Sequence, residues 1–205
     1  MTLEPGGVGP AEEAVGQVAS LAPAPGEAAN APRARVLRAA WEFLHDLSVA
    51  VLFCFFLIAF VAQAFRVQGT SMEPLLYDGE RIVVNKFIYR FQPIERGDVV
   101  VFWYPRDPSV SFIKRVVGLP GDLVEMRGGT LVVNGMPVRE AYLPQSFHDG
   151  DNYPPTEVRK GYYFVLGDHR RSSNDSRTWG EVPERYIYGR AVFRFWPFNR
   201  VGPIR

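Results

Sequence analysis

The apolar residues of this chain form one long run near the N-terminus and a series of short runs after it. The long run, LSVAVLFCFFLIAFVAQAF at residues 47–65, holds nineteen residues and no charge. At ~1.5 Å per residue, a helix of that length covers roughly 28 Å, about the thickness of the hydrocarbon core of a bilayer. The run therefore predicts one transmembrane helix.

The charges that flank this run predict its orientation. Arg33, Arg35 and Arg38 precede it, and Arg66 follows it closely. Because positive charge collects on the cytoplasmic side, we expect the N-terminus in the cytoplasm and the rest of the chain outside. A cleavable secretory signal is the alternative, since residues 62–64 read Ala-Gln-Ala, the form of a cleavage site. The length of the run and the long segment before it favour an uncleaved anchor.

Short β-branched and aromatic runs follow from Val67 onward, separated by pairs of turn residues such as Asn134-Gly135. This alternation is typical of strands joined by tight turns. The predicted strands cover residues 81–84, 99–103, 112–117, 131–133, 162–166 and 192–196. We expect a mostly β fold, an antiparallel β-sheet domain outside the cytoplasm preceded by one transmembrane helix. The polar, aperiodic residues 140–155 predict a surface insertion.

Composition divides the chain of 205 residues into three parts. Residues 1–32 contain no Lys or Arg and are rich in Ala, Pro, Gly and Glu, so we predict a disordered cytoplasmic tail over residues 1–35. We expect the transmembrane helix and its flanks over residues 36–66, and a β-rich extracytoplasmic domain over residues 67–205. A net charge of +1 argues against nucleic acid as a partner. Cys54 is the only cysteine and lies in the apolar run, which excludes disulfides and thiol chemistry outside the membrane.

Ser71 is a candidate nucleophile, since it follows the apolar run by only six residues. Six residues span at most roughly 20 Å, so its hydroxyl must lie near the point where the chain leaves the lipid. A serine needs a base to take its proton, and His148, His169 and Lys114 are the candidates in the outer domain. His169 follows Asp168, but neighbours on a strand point to opposite faces, which disfavours a Ser-His-Asp triad.

Lys114 can act as a base only if it is neutral, which requires its pKa to fall from ~10.4 toward 7 or 8. Burial lowers the pKa of a lysine, and Phe112 and Val116 share its face at strand spacing. The alternative is an ordinary strand lysine with a buried stem and a solvated amine. The hydrophobic pattern leaves both interpretations open.

A set of runs in one order adds to this picture. They are 71–74 (SMEP), 79–86 (GERIVVNK), 96–102 (RGDVVVF), 114–122 (KRVVGLPGD) and 167–177 (GDHRRSSNDSR). With the preceding apolar run, they make the chain resemble the bacterial type I signal peptidases from about Leu47 to its end. These are membrane-bound serine endopeptidases that remove signal peptides from exported proteins. The resemblance implies a β-rich domain of signal-peptidase type.

The same resemblance implies roles for individual residues. Ser71 matches the nucleophile and Lys114 the general base of a Ser-Lys dyad. Ser173 matches a serine that is hydrogen-bonded to the lysine amine and orients it. Asp175 and Arg177 match a pair that supports the geometry of the site.

One departure from the family pattern concerns the oxyanion. Gly69 stands where some members carry a serine whose side chain donates a hydrogen bond to the oxyanion. The oxyanion hole would then rest on the backbone N–H of Ser71 and a second donor that the sequence does not identify. His169 also replaces an asparagine that is common in the family.

The implied substrate is an extended peptide with small residues before the cut, in the pattern Ala-x-Ala. It would add alongside the segments at residues 67–70 and 111–113. The expected walls of its pockets are Phe65, Val67, Met72, Leu76, Phe112 and Ile113.

We therefore expect a single-pass plasma-membrane endopeptidase that acts on exported preproteins. Its partners would be those preproteins and the lipid bilayer, with the secretion translocon as a further candidate and no nucleic acid. No metal or other cofactor is implied. The alternative from another class is a membrane-tethered β domain that binds exported proteins without cutting them.

Overall fold

The computed structural model describes residues 27–205, with side chains for residues 35–56 and 62–205. Residues 1–26 of the predicted tail lie outside the described part of the chain. Helix α1 runs over Glu27–Val61 and so begins within the stretch that the sequence assigned to that tail. Its segment Arg35–Phe56 is long and apolar enough to cross a membrane.

The helix ends earlier than the apolar run does. Residues Ala62–Arg66 form a strand instead, and Phe65 pairs with Ile82 in the register of an antiparallel ladder. Hydropathy cannot place this boundary, because the last apolar residues of the run satisfy a strand as well as a helix. The first strand of the β domain therefore starts at the residue that follows the helix.

Twelve strands, one short α-helix and five short 3-10 helices follow along the chain. The strands are β1 (Ala62–Arg66), β2 (Arg81–Asn85), β3 (Val99–Tyr104), β4 (Asp107–Gly118), β5 (Leu123–Arg127), β6 (Thr130–Val133), β7 (Met136–Pro137), β8 (Tyr153–Glu157), β9 (Tyr162–Leu166), β10 (Val182–Pro183), β11 (Ile187–Trp196) and β12 (Gly202–Pro203), and the helix is α2 (Ser176–Trp179). The predicted antiparallel, mostly β domain is confirmed.

The strands form two sheets. The larger has the order β1-β2-β11-β3-β4-β9-β10, with β12 added to β11, and the smaller has the order β7-β6-β5-β8. Three strands separate β1 from β4, yet residues of both line one cleft. The larger sheet must therefore curl until β1 approaches β4, which is how residues distant in the chain meet at the site.

Hydrophobic clusters hold these strands together. Phe164 and Leu166 of β9 pack with Val124 and Met126 of β5, which fixes the smaller sheet against the larger. A second cluster lies under the chain that follows β1 and includes Met72, buried to 1% exposure. Buried apolar area of this kind supplies most of the stability of a fold.

All six predicted strands are present, and six were missed, of which β7, β10 and β12 are only two residues long. The other three are β1, β5 and β8. β1 was assigned to the membrane segment. β5 carries Glu125, a buried carboxylate paired with Arg127, which breaks the apolar pattern. β8 contains Pro154 and Pro155 and was assigned to the surface insertion.

Candidate active site

Ser71 lies in a tight turn that follows β1. The N–H of Val67 donates to the carbonyl of Glu80 at 2.8 Å, and the N–H of Gly79 donates back to Val67 at 2.9 Å, so this segment and the start of β2 form a closed loop. Gly69 adopts φ +84°, a left-handed conformation that favours glycine, and its N–H donates to the Asp78 carboxylate at 2.8 Å. These contacts fix the backbone on which Ser71 is held.

Lys114 reaches Ser71 from β4. Its Nζ lies 2.8 Å from the Ser71 Oγ and 3.0 Å from the carbonyl oxygen of Ile113. The residue is only 4% exposed. The structure therefore does not show the alternative, an ordinary strand lysine with a solvated amine. The ring of Phe112 lies 5.2 Å from the amine and covers it on one side.

Burial lowers the pKa of Lys114 from 10.5 to about 8, while the nearby carboxylates of Asp175 and Asp168 act in the opposite direction. A lysine with this pKa is partly neutral near physiological pH. The neutral amine can accept the proton of a serine hydroxyl at 2.8 Å, whereas an ordinary lysine cannot.

A buried ion pair lies next to the lysine in the sequence. Arg115 donates to both oxygens of Asp168, at 2.9 and 2.8 Å, and both side chains are at most 3% exposed. A second buried pair joins Arg170 to Glu140. These bidentate contacts hold the chain around residue 168 rigidly beside the turn of Ser71.

Ser173 does not make the contact that the resemblance implied. Its Oγ is buried and has no hydrogen-bond partner among the described residues, so the expected bond to the Lys114 amine is absent. Instead, the Ser173 side chain packs against Gly167, where a Cβ would lie 2.1 Å from its Oγ. Sequence position alone cannot fix a serine rotamer, which decides whether the hydroxyl reaches the amine.

Asp175 and Arg177 form the expected pair. Arg177 donates to both Asp175 oxygens at 2.8 and 2.9 Å, and Asp175 is fully buried. Asp175 also caps α2 and accepts from the N–H of Gly167 at 3.1 Å. Arg177 also forms an ion pair with Asp149 and donates a hydrogen bond to the carbonyl of Arg170, so the pair connects several loops.

Neither outer histidine is hydrogen-bonded to the Ser71 hydroxyl in the described part of the chain. The His169 Nδ1 is buried without a hydrogen-bond partner and lies 3.9 Å from a carboxylate oxygen of Glu73. Its backbone N–H, however, donates to the carbonyl of Ser71 at 3.0 Å. His148 lies 3.5 Å from the carbonyl of Gly129. The structure therefore favours Lys114 over a histidine as the partner of Ser71.

A cleft of about 330 Å³ opens beside Ser71 and Lys114. Of the predicted pocket walls, it is lined by Phe65, Val67, Phe112 and Ile113. Met72 and Leu76 do not line it, which corrects their prediction as walls. The turn after Ser71 directs both side chains inward, where they are 1% and 0% exposed in the core.

The cleft is also lined by Gln68, Gly69, Thr70 and Ser111, which lie in the two segments predicted to flank the substrate. The lining residues that the sequence did not identify are Arg66, Ile82, Val101, Ser172 and Asn174. The hydroxyls of Thr70 and Ser172 lie 3.2 Å apart across it. Only the curl of the sheet brings such distant positions together, and no local pattern reveals it. Among the described residues, no group of three His, Cys, Asp or Glu side chains is placed to hold a metal ion.

Comparisons with known proteins identify relatives of the chain. The sequence model of the family described as signal peptidase, peptidase S26, matches residues 40–196. A signal peptidase I from Leptolyngbya laminosa is 40% identical over 173 residues, which cover 80% of this chain and 83% of the relative. A signal peptidase I from Bacillus licheniformis is 35% identical over 170 residues, which cover 78% and 91%. A crystal structure of a signal peptidase I from Enterococcus faecalis V583 is 32% identical, covers 48% of this chain and 97% of that chain, and has a TM-score of 0.44.

These matches define the protein as a serine endopeptidase, a hydrolase of peptide bonds. The chain belongs to the signal peptidase family, peptidase S26, whose substrates are exported proteins that carry signal peptides. The predicted family, enzyme class and substrate class are thereby confirmed. The N-terminal helix is in keeping with an enzyme anchored to a membrane.

Proposed function

We propose that this protein cuts signal peptides from preproteins through nucleophilic attack by Ser71, with Lys114 as the general base. The observation that carries the proposal is the 2.8 Å contact between the Lys114 amine and the Ser71 hydroxyl at a buried position. Burial is what lowers the pKa of Lys114 to about 8, so the same environment supplies both the geometry and the neutral base.

The reaction would proceed through an acyl-enzyme. The neutral Lys114 amine takes the proton of Ser71, and the Oγ attacks the scissile carbonyl to give a tetrahedral oxyanion. The backbone N–H of Ser71 is one donor for that oxyanion. The Lys114 ammonium then gives its proton to the leaving amine, which departs as the mature N-terminus. Water, deprotonated by the same lysine, hydrolyses the ester and regenerates Ser71.

The substrate would bind as an extended strand between β1 and β4. β1 is the terminal strand of the larger sheet, so one of its edges is open. β4 pairs with β9 only from Arg115 onward, which leaves the edge around residues 111–114 free on that side. A peptide laid between two open edges gains main-chain hydrogen bonds from both.

The side chains along this path favour small residues before the cut. Phe65, Val67, Phe112 and Ile113 are apolar and occupy much of the space beside the two edges, which leaves shallow pockets. We propose that these walls select Ala-x-Ala, because a larger side chain would clash with packed apolar groups.

The remaining predicted residues would support the geometry of the dyad. Asp175 and Arg177 tie α2 to the backbone of Gly167, which lies against both Ser173 and Ser71. In this proposal, Ser173 acts through packing, and rotation of its side chain would be needed to bring its hydroxyl to the Lys114 amine.

The enzyme would lie in the plasma membrane with its N-terminus in the cytoplasm and its β domain outside. The arginines before the apolar run support this orientation. Preproteins reach the outer surface as they are exported, so the secretion translocon is a candidate partner. Accessibility of introduced cysteines to a membrane-impermeant reagent, on both sides of the helix in intact cells, tests the orientation.

The function itself is tested by cleavage of a preprotein in detergent, with mass analysis of both products. Wild type and His169→Ala should cut after Ala-x-Ala, whereas Ser71→Ala and Lys114→Met should be inactive. An active Lys114→Met or an inactive, folded His169→Ala would contradict the dyad. Binding of the preprotein without cleavage by any form would favour the non-catalytic alternative.

A further inference from the structure

A second groove continues the cleft beyond Phe65 and Ser111. It has a volume of about 560 Å³ and shares these two residues with the cleft that holds Ser71. We call it the distal groove. The other residues that line it are Gln63, Lys86, Phe87, Arg90, Trp103 and Tyr188. It is therefore continuous with the proposed substrate path.

The aromatic wall of the distal groove is built around Tyr188. Its hydroxyl donates to the Ser111 Oγ at 2.8 Å, its ring lies 5.1 Å from that of Trp103, and its ring lies 6.1 Å from that of Phe65. Trp103 remains 43% exposed, unusually open for a side chain of its size. An exposed aromatic surface next to a binding cleft marks a place for a bound chain.

Two cations, Lys86 and Arg90, also line the distal groove. The Asn85 carboxamide accepts from the N–H groups of Phe87 and Ile88, at 2.9 and 3.1 Å, and so fixes the turn that carries Lys86 and Arg90. Lys86 donates to the Gln63 side chain at 3.1 Å, and neither cation has an ion pair among the described residues. The groove therefore presents uncompensated positive charge.

The direction of a bound peptide follows from the covalent chain. β1 begins directly after α1, so Gln63 is closer along the chain to the proposed membrane span than Ser71 is. The signal-peptide side of a substrate comes from the membrane, which places it over the distal groove. On the extended strand β4, Ser111 lies three residues before Lys114, which contacts Ser71, and a bound peptide advances by the same ~3.3 Å per residue. The groove begins beyond Ser111 and thus faces about the fourth to sixth residues before the cut.

We infer that the distal groove is a specificity site that binds this part of the signal peptide and favours an acidic or neutral side chain there over a basic one. The inference rests on the proposed function, since it takes Ser71 as the cutting point. Lys86 and Arg90 attract a carboxylate of the bound peptide and repel a basic side chain. The aromatic wall covers the stem of the bound side chain. A neighbouring cavity shares Lys86, Arg90 and Tyr188 with the distal groove. It adds Arg185 and Glu184, whose charges offset each other.

The test uses three peptides that differ only at the sixth residue before an Ala-x-Ala cut, which is Glu, Gln or Lys. Binding to the full-length Ser71→Ala variant in neutral detergent is measured by fluorescence anisotropy, and kcat/KM is measured with the wild type. We expect the Glu peptide to bind about three- to tenfold more tightly than the Lys peptide, with Gln between them. Lys86→Glu, in the same Ser71→Ala background, should remove or reverse this order.

Lys160→Glu is the matched control, because Lys160 is also an exposed lysine and does not line the path. Equal binding of the three peptides, or the same shift in Lys86→Glu and Lys160→Glu, would overturn the inference. The inference would also fail if Lys86→Glu weakened only the binding of the protein to vesicles of anionic lipid and left the peptide preference unchanged. The cations would then face lipid headgroups. Binding of the expected order without any cleavage by the wild type would instead contradict the proposed function.

Discussion

The α-carbon of Gly167 lies against the carbonyl oxygen of Ser71. A Cβ at Gly167 would come 2.5 Å from that oxygen and 2.1 Å from the Ser173 Oγ, both far closer than van der Waals contact. The N–H of His169 donates to the same Ser71 carbonyl at 3.0 Å. The segment 167–169 therefore fixes the backbone of the proposed nucleophile through its carbonyl group. Only glycine fits at position 167.

We expect Gly167→Ala to reduce kcat/KM by about a hundredfold or more, because a shift of ~1 Å in a reacting group has an effect of that size. Cleavage of a preprotein measures it, and circular dichroism checks that the domain still folds. Gly202→Ala is the control, since nothing lies within 4 Å of a Cβ at that glycine. A Gly167→Ala enzyme as active as Gly202→Ala would show that the close contact does not position Ser71.

Two arginines of the C-terminal segment hold the chain just after Ser71. Arg194 donates to the carbonyl of Leu75 at 2.7 Å and to the carboxylate of Glu80 at 3.1 Å. Arg200 lies 2.9 Å from the other Glu80 oxygen and donates to the carbonyl of Pro74 at 3.2 Å. Glu80 is 3% exposed, so its charge depends on these two partners.

Arg194→Leu should therefore lower the free energy of unfolding by about 2 kcal/mol, since Glu80 loses one partner and Leu75 loses a donor. We also expect a fall in kcat larger than any change in KM, because the turn that carries Ser71 loosens. Urea unfolding and steady-state kinetics measure the two effects. Arg81→Leu is the matched control, as Arg81 is an exposed arginine without an ion pair in the described chain. Equal effects of the two variants would contradict the role of Arg194.

Six of the twelve strands were predictable because their residues are locally consistent. Residues 162–166 are apolar or aromatic throughout and form β9, the strand that both sheets share in their packing. The start of β1 was not predictable, because residues 62–66 suit a membrane helix as well as a strand. Pairing with β2, a contact distant in sequence, decides between the two.

The candidate site was likewise predictable in part from local motifs and in part only from long-range pairing. The motifs that resemble the family identified Ser71 and Lys114, and the structure brings them into contact. Local pattern could not tell that Met72 turns inward, or that Trp103 and Lys86 line a groove next to the cleft of Ser71. Those positions depend on the curl of the sheet, which arises from long-range pairing and not from any single segment.

The pKa of Lys114 predicts how activity depends on pH. Because the base must be neutral and its pKa is about 8, kcat/KM should rise about tenfold per pH unit below 8 and level off above it. Initial rates between pH 6 and 10 on one peptide measure the profile. Lys114→Arg should be inactive throughout, since an arginine does not lose its proton in this range. An inflection near 6.5 in the wild type would point to a histidine instead.

The same shift in pKa predicts an unusual effect on stability. The folded state releases the Lys114 proton at about pH 8, whereas the unfolded chain keeps it until 10.5. Between these values the unfolded state binds more protons, so stability should rise with pH through this window. Below pH 8 the buried ammonium costs about 3 kcal/mol, at ~1.4 kcal/mol per pH unit.

Lys114→Met removes this cost and also the two hydrogen bonds of the amine. Since each such bond contributes about 1 kcal/mol, the variant should be about 1 kcal/mol more stable than the wild type at pH 7. At pH 10.5 and above, where the wild type no longer bears the cost, the variant should be the less stable of the two. Urea unfolding at both pH values measures the change, with Lys160→Met as the exposed control. A difference between wild type and Lys114→Met that stays constant with pH would mean that the pKa of Lys114 is not lowered by folding.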